Sequence, residues 1–371
     1  HEAVGVVEPG DGAALQEGGE HGVDEQAHLA DRDAEHRRGH QAQDAAHPFV
    51  LPVEAEAGQH ADAAQGRGLD PAGHRHRIGD LAGLRVIQHL DAFSAQLFKG
   101  NPAAVIVLDQ WLDEALMQSI AMENNLSETA FVKSLHAESD GEKTDGEHYE
   151  IRWFTPATEV DFCGHATLAA SYVLFKDYTA AKTIQFHVKN LGIFIVQQAQ
   201  DGKIKMNFPV RRAEALAVYP DLLRQALSKP FKQVYLNAQA YIVEYETAQD
   251  VLDEQPDFEL LKQLGRIRTA ITASGHGAAM DVAITALGQQ YDCVSRYFAP
   301  ANGINEDPVT GSIHTGIAPL WAEKLGKTEL LAYQASERGG ELHCAMLENE
   351  RIEISGYAKL YMQAEIYLDA Q

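Results

Sequence analysis

The chain has 371 residues, with 54 acidic side chains against 30 basic ones and a formal charge of -24. That length supports one large or two ordinary domains with buried cores, and the charge argues against nucleic acid or an anionic membrane as partner, because both demand a basic face. No stretch approaches the roughly 20 apolar residues that span a bilayer, and the three widely spaced cysteines are no disulfide framework, so a reducing cytoplasm is the expected setting.

Residues 1–83 differ in texture from the rest. They lack Lys, Ser, Thr, Tyr, Trp, Cys and Met, and histidines are scattered from His1 to His76. The spacings are irregular and no cysteine accompanies them, which disfavours a metal-binding tail. The segment is expected to be disordered or a spurious extension, because it carries too little apolar surface to offset ordering entropy.

From Arg85 the alternation predicts strands over Arg85–Ala92 and Ala103–Leu108. The spacing of Leu112, Leu116 and Ile120 predicts a helix over Leu112–Glu123. Strands over Thr129–Ser134 and Tyr149–Phe154 precede a helix over Ala166–Lys176. Next come strands over Ile184–Val188, Gly192–Gln198 and Lys203–Phe208, a helix over Pro220–Leu227, a strand over Tyr241–Tyr245 and a helix over Phe258–Gly265. Further strands are expected over Ile267–Ala273, Met280–Ile284 and Val294–Phe298. A helix over Ile313–Leu325 and strands over Leu342–Leu347, Arg351–Ser355 and Ala364–Leu368 complete the chain.

The chain repeats itself. Arg152-Trp-Phe-Thr-Pro-Ala157 answers to Arg296-Tyr-Phe-Ala-Pro-Ala301, and Cys163-Gly-His165 to Thr310-Gly-Ser312. Upstream, Asn101–Val107 resembles Asn237–Val243, and Glu128–Val132 aligns with Arg268–Thr272. Four matches in one order indicate two related halves, residues 84–205 and 206–371, with the last strands free to cross back to the first half. Differences between matched positions mark where function lies: Glu128 opposite Arg268, and Cys163 opposite Thr310.

The two Gly turns, at Gly164 and Gly311, each put small residues at a helix start, where free N–H groups and the helix dipole attract anions. Plain helix caps would look the same. Glu128, at the entrance to a strand, would ordinarily be a surface carboxylate. In a cleft it can take a proton from one carbon and return it to another. His165 and Asp307 are candidates to orient a substrate or relay protons, and Ser312 and Ser127 can donate to a carboxylate. Two opposed thiols would suggest a two-base racemase, but Thr310 stands where the second thiol would be. No metal-binding or nucleotide-binding motif occurs outside the histidine-rich leader, and chemistry without a cofactor is expected.

Asp91-Ala-Phe93, Phe98-Lys-Gly-Asn-Pro-Ala-Ala104, Asn124-Asn-Leu-Ser-Glu-Thr-Ala-Phe131, Arg152-Trp-Phe-Thr-Pro156, Cys163-Gly-His-Ala-Thr167 and Asp307-Pro-Val-Thr-Gly-Ser312 occur in that order. Together they resemble the phenazine-biosynthesis PhzF-like isomerase family over about Leu84 to Gln371. The resemblance implies an α+β fold like that of diaminopimelate epimerase: two pseudo-symmetric domains, each a β-sheet curled around a central helix, with the site between them. It implies that Glu128 is the catalytic acid/base and that His165, Asp307, Gly164, Gly311 and Ser312 line the substrate pocket. It also implies a homodimer and a cofactor-free proton shift on a small anionic acid, the reaction type of phenazine biosynthesis. An amino-acid epimerase using Cys163, and a binding protein that keeps the fold without turnover, are the alternatives.

Overall fold

The computed structural model describes residues 84–135, 147–189, 191–271 and 281–368. Every described residue belongs to one compact unit. The expectation for residues 1–83 lies outside the described residues. No helix among the described residues is long and apolar enough to cross a membrane.

The first half runs β1 (Leu84–Ala92), β2 (Asn101–Leu108), α1 (Glu114–Asn124), β3 (Glu128–Ser134), β4 (Glu147–Phe154), β5 (Glu159–Val160), α2 (Gly164–Val173), β6 (Thr183–Val188), β7 (Gly192–Gln198) and β8 (Ile204–Pro209). A short β9 (Glu214–Leu216) and α3 (Asp221–Ala226) lead to β10 (Gln233–Leu236), β11 (Ala240–Glu244), α4 (Ala248–Asp253), α5 (Phe258–Ile271) and β12 (Asp281–Leu287). The remainder is β13 (Cys293–Phe298), α6 (Gly311–Leu325), β14 (Glu329–Gln334), β15 (Gly340–Leu347), β16 (Arg351–Gly356) and β17 (Ala358–Tyr367).

Strand pairing repeats the same pattern twice. The series β1-β2-β3-β4-β6-β7-β8 is antiparallel, parallel, antiparallel, parallel, antiparallel, antiparallel. The series β10-β11-β12-β13-β14-β15-β16 follows the same sequence of directions. The equivalent strands β8 and β16 pair antiparallel and join the halves. Each half then sends one strand across: β17 pairs with β1 and β9 with β10.

Each curled sheet wraps a largely apolar helix that is buried over most of its length. Ala166, Leu168, Ala169, Ala170 and Val173 of α2 are buried, as are Ile313, Ile317, Ala318 and Trp321 of α6. Buried hydroxyls are satisfied inside α2, where Thr167 donates to the Cys163 carbonyl at 2.6 Å and Ser171 to the Thr167 carbonyl at 2.7 Å. Pro319 in α6 has no N–H, which frees the carbonyl of Thr315 one turn back. The backbone N–H of Arg211 occupies that carbonyl at 3.0 Å.

Three sequence expectations need correction. In place of the strand expected over Ile267–Ala273, rich in β-branched residues, α5 runs on to Ile271; Thr272 and Ala273 lie outside the described residues. The register of α5 is set by the buried Leu261 and Leu264, so the amphipathic period overrides local β propensity. Arg268 therefore lies on a helix and is not the counterpart of Glu128. The strand equivalent to β3 is β12: Ala103 stands opposite Glu128, and Ala240 opposite Asp281. Ala103 and Val105 face the same central core as Ala240 and Ile242, so the match of Asn101–Val107 to Asn237–Val243 was one residue out of phase. A slip of one residue turns a strand over. Asp281 is thus the second half's equivalent of Glu128.

The match of Arg152 with Arg296 shows the duplication in detail. Arg152 makes a two-point contact with Glu159 at 2.7 and 2.6 Å, and Arg296 does the same with Glu306 at 2.7 and 2.8 Å. Each guanidinium lies over the Phe two residues on, Phe154 or Phe298.

Candidate active site

The site gathers where the first turns of α2 and α6 meet. A β-carbon built on Gly164 would stand only 4.0 Å from the α-carbon of Gly311. Neither Cys163 nor Thr310, the residues before the two helices, makes a side-chain cap bond. The first-turn N–H groups of two helices therefore lack the usual side-chain acceptor, the arrangement that suits an anion.

Glu128 reaches this point through local geometry. Asn125 closes α1 in the left-handed conformation, and Asn124 donates to the Thr129 hydroxyl at 3.0 Å. This sharp turn makes Glu128 the first residue of β3, on the same face as the core residues Ala130 and Val132. Its carboxylate oxygen Oε2 lies 3.0 Å from His165 Nε2. Both atoms are buried, and neither has an aligned hydrogen-bond partner among the protein groups. Buried polar atoms are rarely left so, and two facing ones at the junction of two helix starts are suited to a ligand.

Asn101, fully buried, ties the two halves together. Its amide nitrogen donates to Asp307 Oδ1 at 2.8 Å and to the Val309 carbonyl at 2.9 Å. Those two bonds use both amide hydrogens. The same nitrogen stands 3.1 Å from His165 Nδ1, which also lies 3.4 Å from Cys163 Sγ. Ser127 donates to Asn101 Oδ1 at 3.1 Å; its hydrogen is committed to Asn101, so it meets a ligand only as an acceptor. Asp307 is held further by the Thr310 hydroxyl, and Gln334 donates to its backbone carbonyl at 2.7 Å.

Charge in this cluster follows from burial and proximity. Burial pushes the Asp307 carboxyl up to about 6; Glu128 adds to the rise, while His165, Thr310 and Asn101 oppose it. Asp307 keeps some accessible surface although protein atoms crowd its carboxylate. Burial opposes a charge on His165, but the Cys163 sulfur and the Glu128 carboxylate outweigh it and hold the ring well above its ordinary value. The Cys163 thiol is pushed up to about 11 by burial and by Glu128.

The ligand-capable atoms of Glu128, Cys163 and His165 lie within 4.8 Å of one another. This is a compact group of three that the sequence, read for metal motifs, did not reveal. Metal ligation needs a thiolate and a neutral imidazole. Without an ion the thiol is raised to about 11 and the ring is held toward its charged form, so a binding ion would have to displace both protons.

The model of the phenazine biosynthesis-like protein family matches residues 90–364. The chain belongs to that family. The matched span contains every site residue described above. An uncharacterized isomerase of Pseudomonas aeruginosa is 43% identical over 282 residues, covering 76% of this chain and 98% of its own. The crystal structure of a phenazine biosynthesis PhzF-family protein of Enterococcus faecalis is 40% identical, with a TM-score of 0.67 over 77% of this chain and all of that one. A P. aeruginosa protein described as a predicted epimerase shares the fold at 19% identity and a TM-score of 0.57, over 76% of this chain and 99% of its own. The fold is therefore the α+β epimerase-like one.

Glu128, His165, Asp307, Ser127, Gly164, Gly311 and Ser312 all lie at or beside the helix junction. Ser312 accepts a hydrogen bond from Gln239 Nε2 at 2.9 Å. Sequence reasoning passed over Asn101 as a site residue, although a Gly-Asn-Pro turn opening a strand was visible. It also passed over Asp281, whose position at the head of a strand parallels that of Glu128.

Proposed function

We propose that this protein is a cofactor-independent isomerase that shifts a proton on a small unsaturated or cyclic carboxylic acid by general acid/base catalysis. The observation that carries the reading is the buried Glu128–His165 pair, 3.0 Å apart and without aligned partners, at the junction of two uncapped helix starts. The helix starts at Gly164 and Gly311, with Ser312, hold the substrate carboxylate. Glu128 removes a proton from one carbon and returns it to another. The charged His165 ring beside it stabilises negative charge as it develops on the substrate. Asp307, near the middle of its titration at pH about 6, orients the substrate and exchanges protons with it.

Relatives named isomerases support this reaction class. The epimerase alternative needs a thiolate at Cys163, and a buried thiol raised to about 11 disfavours it. We also propose a homodimer, to be checked by light scattering. The decisive test of turnover against simple binding uses a panel of dihydroaromatic carboxylic acids in D2O. Deuterium appearing at carbon in a recovered acid is the expected result. Acids that bind but exchange no deuterium would replace this reading with a non-catalytic binder.

A further inference from the structure

The second half carries its own carboxylate, and its connections differ from those of the first. Asp281 heads β12 as Glu128 heads β3. Ser312 is the second residue of α6 as His165 is of α2. In the first half the carboxylate meets the helix residue directly. In the second, two side chains stand between them.

Asp281 is buried. It accepts a hydrogen bond from the Tyr297 hydroxyl at 2.5 Å through Oδ2 and one from Asn302 at 3.0 Å through Oδ1. Gln239 Nε2 donates to the Tyr297 oxygen at 3.0 Å and to Ser312 Oγ at 2.9 Å. The orientation of an amide must be fixed by its partners, and here it is. Gln239 Oε1 lies 3.3 Å from the Arg211 guanidinium, which can only donate. Arg211 is itself anchored to α6 through the Thr315 carbonyl that Pro319 leaves free. Asn237 Oδ1 accepts from the backbone N–H groups of Gln239 and Ala240, both at 2.9 Å, which fixes where Gln239 leaves the strand.

The direction of every bond follows. Arg211 claims the amide oxygen, so both amide hydrogens go to Tyr297 and Ser312. Tyr297, already accepting, gives its own hydrogen to Asp281. Ser312, already accepting, has its hydrogen left over for the cleft. We propose that Asp281, Tyr297 and Gln239 are positioning residues that fix the Ser312 hydroxyl as a donor, so that the α6 side of the site selects an anionic ligand group over a neutral one. This rests on the reading that Ser312 helps to hold a carboxylate.

Isothermal titration of the full chain with benzoate and with benzamide tests both layers. Ser312→Ala is expected to bind benzoate roughly tenfold more weakly, the scale of one hydrogen bond to a charged group. Gln239→Leu and Asp281→Ala are expected to weaken benzoate several-fold and benzamide, whose neutral carbonyl accepts a weaker hydrogen bond, by less. Asp281→Asn keeps an acceptor for Tyr297 and is expected to stay within about twofold of wild type. Gln239 is partly exposed, so Gln239→Leu still decides the matter if Asp281→Ala does not fold. If Ser312→Ala weakens benzoate but Gln239→Leu does not, the relay is wrong and the carboxylate seat stands. If Asp281→Asn loses as much as a folded Asp281→Ala, the relay is also wrong. If the wild type does not bind benzoate, or Ser312→Ala binds it as tightly as wild type, the seat falls and the relay with it.

Discussion

Replacing Asp307 by Asn is expected to stabilise the protein at neutral pH while damaging the site. The folded protein raises this carboxyl from its ordinary 3.8 to about 6, chiefly by burial. Below pH 3.8 the group is protonated in both folded and unfolded chains and contributes no pH dependence. Between pH 3.8 and about 6 the folded chain holds a proton that the unfolded chain has released, so stability falls as pH rises. Above about 6 the loss is complete. A displacement from 3.8 to about 6, at 1.36 kcal/mol per pKa unit, amounts to about 3 kcal/mol. Asn keeps the shape: its oxygen can accept from Asn101 as Asp307 Oδ1 does at 2.8 Å, and its nitrogen can face the Thr310 hydroxyl. The melting temperature of Asp307→Asn minus that of wild type should therefore widen from pH 4 to pH 7 and then level off. For a fold of this size the widening should be roughly 6–12 °C. Calorimetry or circular dichroism at pH 4, 5, 6, 7 and 8 measures it. A difference that is the same at pH 4 and pH 8 would refute the claim that burial strains this carboxylate.

Other expectations are more local. Iodoacetamide at pH 7.5 should leave Cys163 unlabelled in the folded protein, because the thiol is buried and pushed up to about 11; stoichiometric labelling by mass spectrometry would revive a thiol mechanism. Gly316→Ala should destabilise by about 1–3 kcal/mol, because its β-carbon would come within 2.5 Å of Asn237 Nδ2 and 2.9 Å of the Arg211 carbonyl. An unchanged urea midpoint would show that α6 does not press on those segments.

Much of the architecture was legible because it depends on periodicity. The burial pattern of β6 alternates in register with its sequence, and β7 spans Gly192–Gln198 as the sequence predicts. The shortest elements are not legible: β9 and β10 have three and four residues, too few for a period to show. The duplication was read correctly at Arg152 and Arg296, where both residues keep the same Glu contact. At Glu128 it is obscured because the β-branched and small residues that flank Arg268, from Ile267 to Ala273, imitate a strand. The true equivalence with Asp281 lies in pairing register, which only the assembled sheet reveals. His165 and Gly311, which the structure brings to the helix junction, were legible as candidates because motif and chemistry coincide there. Asn101 was harder, since its importance comes from bridging to Asp307, 206 positions away.

In the proposed mechanism the Glu128 carboxylate carries the proton. The most direct measurement compares wild type with Glu128→Gln for solvent deuterium incorporation into the same dihydroaromatic acid, at matched saturation. A rate lowered by roughly 10²–10⁴, the usual worth of a general acid/base, is expected in a folded protein that still binds the acid. Deuterium incorporation by Glu128→Gln at the wild-type rate would contradict that mechanism.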